Sequence, residues 1–177
     1  AVQPRRNSLS RTIDDAGAFE KTIAANLDQM IIVAASADPS PRQGFIDRCL
    51  AVAFDQGIKP IIVMSKADLA DPDECLSAYK DLEVKYLKLK RGDDLTQLHK
   101  ILEAKVSVLI GHSGVGKSTL VNALLGIEKR DTGDVNLTTG RGRHTSSSAI
   151  SFELPNGGWI IDTPGVRSFG LEHIDKS

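Results

Sequence analysis

Long apolar runs are missing from this chain of 177 residues. The longest, Met30 to Ala37, is far too short to cross a bilayer, and the opening AVQPRRN has no signal-peptide apolar region. Cysteine is scarce as well. Cys49 and Cys75 lie far apart without a C-x-x-C or Cys/His spacing, which argues against zinc and for ordinary reduced thiols. A soluble, cytoplasmic chain without membrane attachment is expected. Charge of one sign is also lacking: 22 Lys and Arg against 23 Asp and Glu give a net charge of −1. Any nucleic-acid contact must therefore come from a local basic patch rather than from a globally attractive field. What is present, a hydrophobic content of 41%, is enough to bury one core without disulfides.

Residues 1–15 contain Pro4, Arg5, Arg6 and Arg11 with little periodicity, and read as a linker or the remnant of a preceding domain. Residues 16–177 read as one domain. Its first strand is expected at Met30 to Ala35, a β-branched run suited to burial on both faces. Ser40 and Pro41 then look like a helix N-cap and first turn, with Gly57 as the stop. Pro60 to Met64 and Val84 to Leu89 are further strand candidates, separated by a helix opened by Asp71 and Glu74. An amphipathic helix over Leu95 to Leu102 leads to a strand at Val106 to Ile110. After a long Gly-, Thr-, Ser- and Arg-rich segment, 126–148, the pattern Ala149 to Leu154, Pro155-Asn156-Gly157-Gly158, Trp159 to Ile161 predicts a β-hairpin. Regular alternation of strands and helices predicts an α/β fold, a mostly parallel sheet with helices on both faces and ligands at the carboxyl ends of its strands. One hairpin strand must be antiparallel.

Three short motifs fall at such ends. Gly111-His112-Ser113-Gly114-Val115-Gly116-Lys117-Ser118-Thr119 lies between a buried strand and a helix. Its glycines let successive backbone N–H groups converge on anionic oxygens at a helix N-terminus, with Lys117 on the outer phosphates and Ser118 on Mg²⁺. A plain Gly-rich turn does not need Gly, Lys and Ser at those offsets. At the hairpin's end, Asp162-Thr163-Pro164-Gly165 supplies an Asp able to hold Mg²⁺ through water and a Gly whose N–H can meet the γ-phosphate. Alone this motif can also be a plain Pro-Gly turn, a reading that the loop and hairpin before it disfavour. Ser65-Lys66-Ala67-Asp68 supplies a carboxylate able to accept parallel hydrogen bonds from N1–H and the 2-amino group of guanine, a donor pair adenine lacks. Lys66 can lie along the base plane. The bland reading of this stretch is the polar start of a turn.

In most GTPases the guanine motif follows the phosphate loop, whereas here it precedes it. That order is similar to a circularly permuted GTPase, a three-layer P-loop sandwich. Further stretches narrow the resemblance: Ala25-Asn26-Leu27-Asp28-Gln29, Asp47-Arg48, Gly142-Arg143-His144-Thr145, Gly165-Val166-Arg167 and Phe169-Gly170-Leu171. Together the chain resembles the RsgA (YjeQ) family from about Arg5 onward. The resemblance implies GTP and GDP as ligands, Mg²⁺ as cofactor, and a GTPase of late small-ribosomal-subunit maturation whose turnover that subunit stimulates; a monomer is expected. It also implies that flanking OB-fold and zinc domains stand outside this core.

Some positions depart from the family pattern. Ser65 stands where the guanine motif usually has Asn, shortening an amide to a hydroxyl. The run after His144 is Thr145-Ser146-Ser147-Ser148, so Thr145 and Ser146 are alternative switch hydroxyls for Mg²⁺. Lys90-Arg91-Gly92 replaces the Ser-Ala pair of a second guanine loop. Val166 occupies the place where Ras-type enzymes orient water with Gln. The resemblance puts His144 in that role, although a loop His is otherwise more often idle. Arg141, Arg143 and Arg167 are either solubilising charges or contacts to ribosomal RNA phosphates. Two other readings compete: an ATP-using enzyme, which Asp68 and Asp162 disfavour, and a nucleotide switch that binds without turnover.

Overall fold

The structure, a computed structural model, describes residues 4–13, 19–127 and 149–163. Two short strands come first, β1 (Ser8–Ile13) and β2 (Phe19–Ala25), paired antiparallel. The sequence pattern predicts a linker or remnant over 1–15 and a first strand at Met30. Both expectations missed this ladder because a two-stranded ribbon buries little: Leu9 is fully buried, yet no apolar run marks either strand.

The main sheet contains β3 (Gln29–Ala35), β4 (Lys59–Ser65), β5 (Lys85–Lys88), β6 (Val106–Gly111), β7 (Ile150–Glu153) and β8 (Trp159–Asp162), in the order β5-β4-β3-β6-β8-β7. All neighbours are parallel except the β7–β8 hairpin at one edge. The predicted α/β architecture with one antiparallel hairpin strand is therefore observed. β3 is central and every one of its residues is buried, which is why Met30 to Ala35 reads as a continuous apolar run rather than an alternation.

Two cores lie on opposite faces of the sheet. One joins Met30, Ile32 and Ile62 to Phe45, Ile46 and Cys49 of α1 (Gln43–Asp55) and to Cys75 and Leu76 of α2 (Asp73–Ser77). The other joins Ile31, Val33 and Ile61 to Leu98 and Leu102 of α3 (Thr96–Leu102) and to Leu120, Val121 and Leu124 of α4 (Lys117–Leu124). Cys49 is a core residue, and burial pushes its thiol up to about 12.

Helix α1 begins later than Ser40-Pro41 predicts. Arg42 is its N-cap and accepts the first helical hydrogen bonds from Phe45 and Ile46, with no side-chain cap. Arg42, at φ −102° and ψ 88°, is still non-helical, so Ser40 and Pro41 stay outside the helix. The C-terminal expectation holds: Gly57 has φ +62°, its N–H donates to Phe54 O, and Ile58 N–H donates to Ala53 O at 2.7 Å. That is the Schellman arrangement of a left-handed helix stop. At α2, Asp71 Oδ1 accepts from Asp73 N at 3.0 Å, as a capping carboxylate should.

Candidate nucleotide site at the strand carboxyl ends

Chain order runs outward from β3 to β4 and β5, then returns to place β6 on the other side of β3. The strand order therefore reverses between β3 and β6, and the crevice at such a reversal is where open α/β sheets bind ligands. Gly111, the last residue of β6, pairs with Val33 of β3 at that point. A Cβ at Gly111 would lie 2.7 Å from Val33 O and 3.0 Å from Val115 Cγ2, so only glycine fits. Gly114 and Gly116 follow with φ of +83° and +86°, and Gly116 is the left-handed N-cap of α4. The backbone thus turns from a buried strand into a helix with its first N–H groups free to meet an anion. Ser113, Ser118 and Thr119 are exposed, whereas Val115 packs into the core.

Lys117 is only 9% exposed, and its ammonium forms an ion pair with Asp162 Oδ1 at the end of β8. Thr163, 1% exposed, fixes the exit of that strand by donating from Oγ1 to Leu109 O at 2.8 Å. Asp162 and Lys117, expected to serve metal and phosphate, therefore meet directly. A buried ammonium needs such a counter-charge.

The guanine-motif candidate lies two strands away. Ser65 closes β4, and its hydroxyl donates to Val115 O of the phosphate loop at 2.6 Å. Ala34 O lies 3.2 Å from the same Oγ, but a hydroxyl has one proton, and the shorter contact takes it. Shortening Asn to Ser thus keeps a tie to the loop and uses the only donor in making it. Lys66 adopts φ +54°, and its Nζ donates to Asp38 O. Ala67 N donates to Leu89 O at 3.1 Å, pinning the turn to the segment after β5. Asp68 is exposed, and among the described residues its carboxylate has no hydrogen-bond partner.

His112 departs from the rest of the loop. Its ring packs on Phe45 of α1 with centroids 4.0 Å apart, and Nε2 is buried without a partner among the described residues. Burial, then the nearby Arg42 and Arg48, lower its pKa. Asp47, one of the family-like positions, accepts from Tyr79 Oη at 2.8 Å and so ties α1 to the end of α2.

The sequence reading did not single out Thr163 as an anchor, Phe45 as a partner of His112, or the Asp38 carbonyl. Each depends on a contact distant in sequence, so no local signal existed. His144, Thr145, Ser146, Arg141, Arg143, Gly165, Val166 and Arg167 lie outside the described residues. Among the described residues no group of three or more His, Cys, Asp and Glu side chains is placed to hold a metal. A Mg²⁺ shared with phosphate oxygens needs fewer protein ligands. The exposed Ser118 hydroxyl and the Asp162 carboxylate are hard oxygen donors of the right kind. No helix among the described residues is long and apolar enough to cross a membrane.

Comparison with known proteins gives a consistent picture. The family profile "RsgA GTPase" matches residues 2–172. The "Small ribosomal subunit biogenesis GTPase RsgA" of Pseudomonas aeruginosa is 41% identical over 185 residues, covering 99% of this chain and 53% of the relative. That of Shewanella oneidensis is 44% identical over 182 residues, covering 98% and 51%. The chain thus spans about half the length of the curated relatives it matches. The crystal structure of YjeQ from Thermotoga maritima superposes with TM-score 0.66 at 28% identity, covering 94% of this chain and 54% of that one. YloQ, described as a circularly permuted GTPase, shares the fold with TM-score 0.62 at 22% identity, covering 94% and 58%.

Proposed function

The chain belongs to the RsgA GTPase family, and from that premise we propose that it binds guanine nucleotides and hydrolyses GTP to GDP and phosphate in late maturation of the small ribosomal subunit. The observation that carries this reading is the convergence of three motifs on one crevice. Ser65 ties the base motif to the phosphate loop, and Lys117 of the loop meets Asp162 of the third motif. A triphosphate entering at Gly111 to Thr119 would take hydrogen bonds from the loop N–H groups and compete with Asp162 for Lys117. Asp162 and Ser118 would then serve Mg²⁺, which neutralises charge on the phosphate oxygens. Asp68, exposed and uncommitted among the described residues, would accept from N1–H and the 2-amino group of guanine, with Lys66 beside the base.

For turnover we assign His144 to water orientation, because the Val166 side chain has no polar atom for that task, and Gly165 to the γ-phosphate. Thr145 or Ser146 would close on Mg²⁺ in the triphosphate state. The small ribosomal subunit would bring His144 to the attacking water, with Arg141, Arg143 and Arg167 on RNA phosphates, in a cytoplasmic, monomeric protein. The ladder of β1 and β2 would join the core to a preceding domain in a longer chain.

The test is multiple-turnover phosphate release with and without small ribosomal subunits. Slow release alone, stimulated by subunits, is expected, with His144→Ala keeping GTP affinity and losing stimulation. No release in either condition would favour the second reading, a switch that binds without hydrolysing, which Val166 supports.

A further inference from the structure

The amino ends of the strands carry a second feature that the nucleotide site does not use. A groove of about 770 Å³ runs between α3 and the β4–β5 edge. Ile61 and Leu87 form part of its floor, and Lys59, Lys85, Lys100 and Lys105 line it. Sheet register explains why these lysines gather. Ile61 pairs with Lys85, and Lys59 lies two residues before Ile61, so both lysines project on the face that α3 covers. Lys100 comes from α3 itself, and Lys105 from the turn between α3 and β6. That turn is held by Lys105 N donating to Leu102 O at 3.2 Å and Lys105 O accepting from Trp159 N at 2.8 Å. All four lysines are exposed.

Asp28 is the one carboxylate lining the groove, and it is already engaged. Its Oδ1 accepts from Arg6 at 3.1 Å and its Oδ2 from Val106 N at 2.8 Å. Four cationic side chains thus face one groove in a chain whose net charge is −1. This is the local basic patch that a near-neutral protein needs to hold a polyanion.

We propose that this groove binds the phosphate backbone of structured RNA, at the end of the sheet opposite the nucleotide. The proposal rests on the ribosomal reading for its partner, but on the lysines for its place. Lysines are flexible point charges with three rotatable donors each, suited to a row of phosphates rather than to planar, base-specific recognition. An acidic protein segment is the competing occupant.

A labelled RNA duplex of about 20 base pairs, titrated with this chain over a salt series, tests it. Wild type should lose affinity steeply with salt. A variant with Lys59→Gln, Lys85→Gln, Lys100→Gln and Lys105→Gln should bind at least about tenfold more weakly, with a log–log salt slope shallower by about 3. GDP affinity, measured on the same samples, should be unchanged, which shows that the variant is folded and that the nucleotide reading stands apart. Overturning results are RNA binding equal in variant and wild type, no RNA binding by wild type, or polyglutamate displacing the duplex at equal charge concentration. Loss of GDP binding by wild type would instead break the functional reading and leave the RNA result to stand.

Discussion

The two ends of the parallel sheet are built on opposite plans. At the amino ends, side chains complete the backbone's hydrogen bonding. Asn7 Nδ2 donates to Leu27 O and its Oδ1 accepts from Leu27 N, both at 2.8 Å, so one amide imitates a neighbouring strand. Gln29 Nε2 reaches Ile101 O and Ser107 Oγ, each at 2.9 Å, while Asp28 joins Arg6 to Val106. At the carboxyl ends the backbone is bent into left-handed conformations at Asp38, Lys66, Gly114 and Gly116. Ser36 Oγ and His112 Nε2 are buried there without partners among the described residues. Left-handed residues occur at the amino ends too, at Asn26 and Ala104, so it is the unmet polar groups that set the carboxyl end apart, where a ligand belongs. Stability and binding should therefore be separable by mutation.

The largest expected effect is at the ligand end. Lys117→Met keeps the packed stem, removes the ammonium, and should weaken GDP binding on the order of 100-fold, about 2.8 kcal/mol, by titration of a fluorescent guanine nucleotide. A change under threefold would remove Lys117 from the phosphate site.

At the other end Asp28→Ala strips Val106 N–H and Arg6 of their acceptor and should lower unfolding stability by about 2 kcal/mol in denaturant melts, with GDP affinity unchanged. Equal damage to both would mean that the ends are not independent. Burial would raise the Asp28 pKa, but the Val106 hydrogen bond and the Arg6 guanidinium hold it below the ordinary 3.8. Its contribution is therefore present above about pH 4 and is lost as pH falls through the lower folded value. The difference in stability between wild type and Asp28→Ala should shrink on acidification through that range.

Ser65→Ala should have the smallest effect, about 1 kcal/mol or fivefold in GDP affinity, because one neutral hydrogen bond to the loop is removed. Ser65→Asn, which restores a second donor, should bind GDP more tightly than wild type; weaker binding would show that the hydroxyl is not a shortened amide in role.

The same contrast explains what could be read from the sequence. The central strands and the phosphate loop were legible because burial on both faces writes continuous apolar runs and because Gly111, Gly116, Lys117 and Ser118 have fixed offsets. The amino-end clamp was not legible in its mechanism. Asn26-Leu27-Asp28-Gln29 stood out by resemblance, but its partners are Asn7, Ile101, Val106 and Ser107, and no local pattern couples residues 20 to 78 positions apart. β1 and β2 were missed for the related reason that their pairing, not their apolarity, makes them strands. Gly158 looked like a turn glycine, whereas a Cβ there would meet Leu102 O at 2.1 Å, a packing demand invisible without the fold.

Competition at the carboxyl-end crevice tests the account most directly. A fluorescent guanine nucleotide bound to this chain would be displaced by GDP, ATP or xanthosine diphosphate, in wild type and in Asp68→Asn. GDP should displace it from wild type at concentrations at least about 100-fold below ATP. Asp68→Asn should move the preference to xanthosine diphosphate, whose 2-oxo group accepts where guanine donates. ATP competing as well as GDP, or GDP remaining equally effective on Asp68→Asn, would contradict this reading.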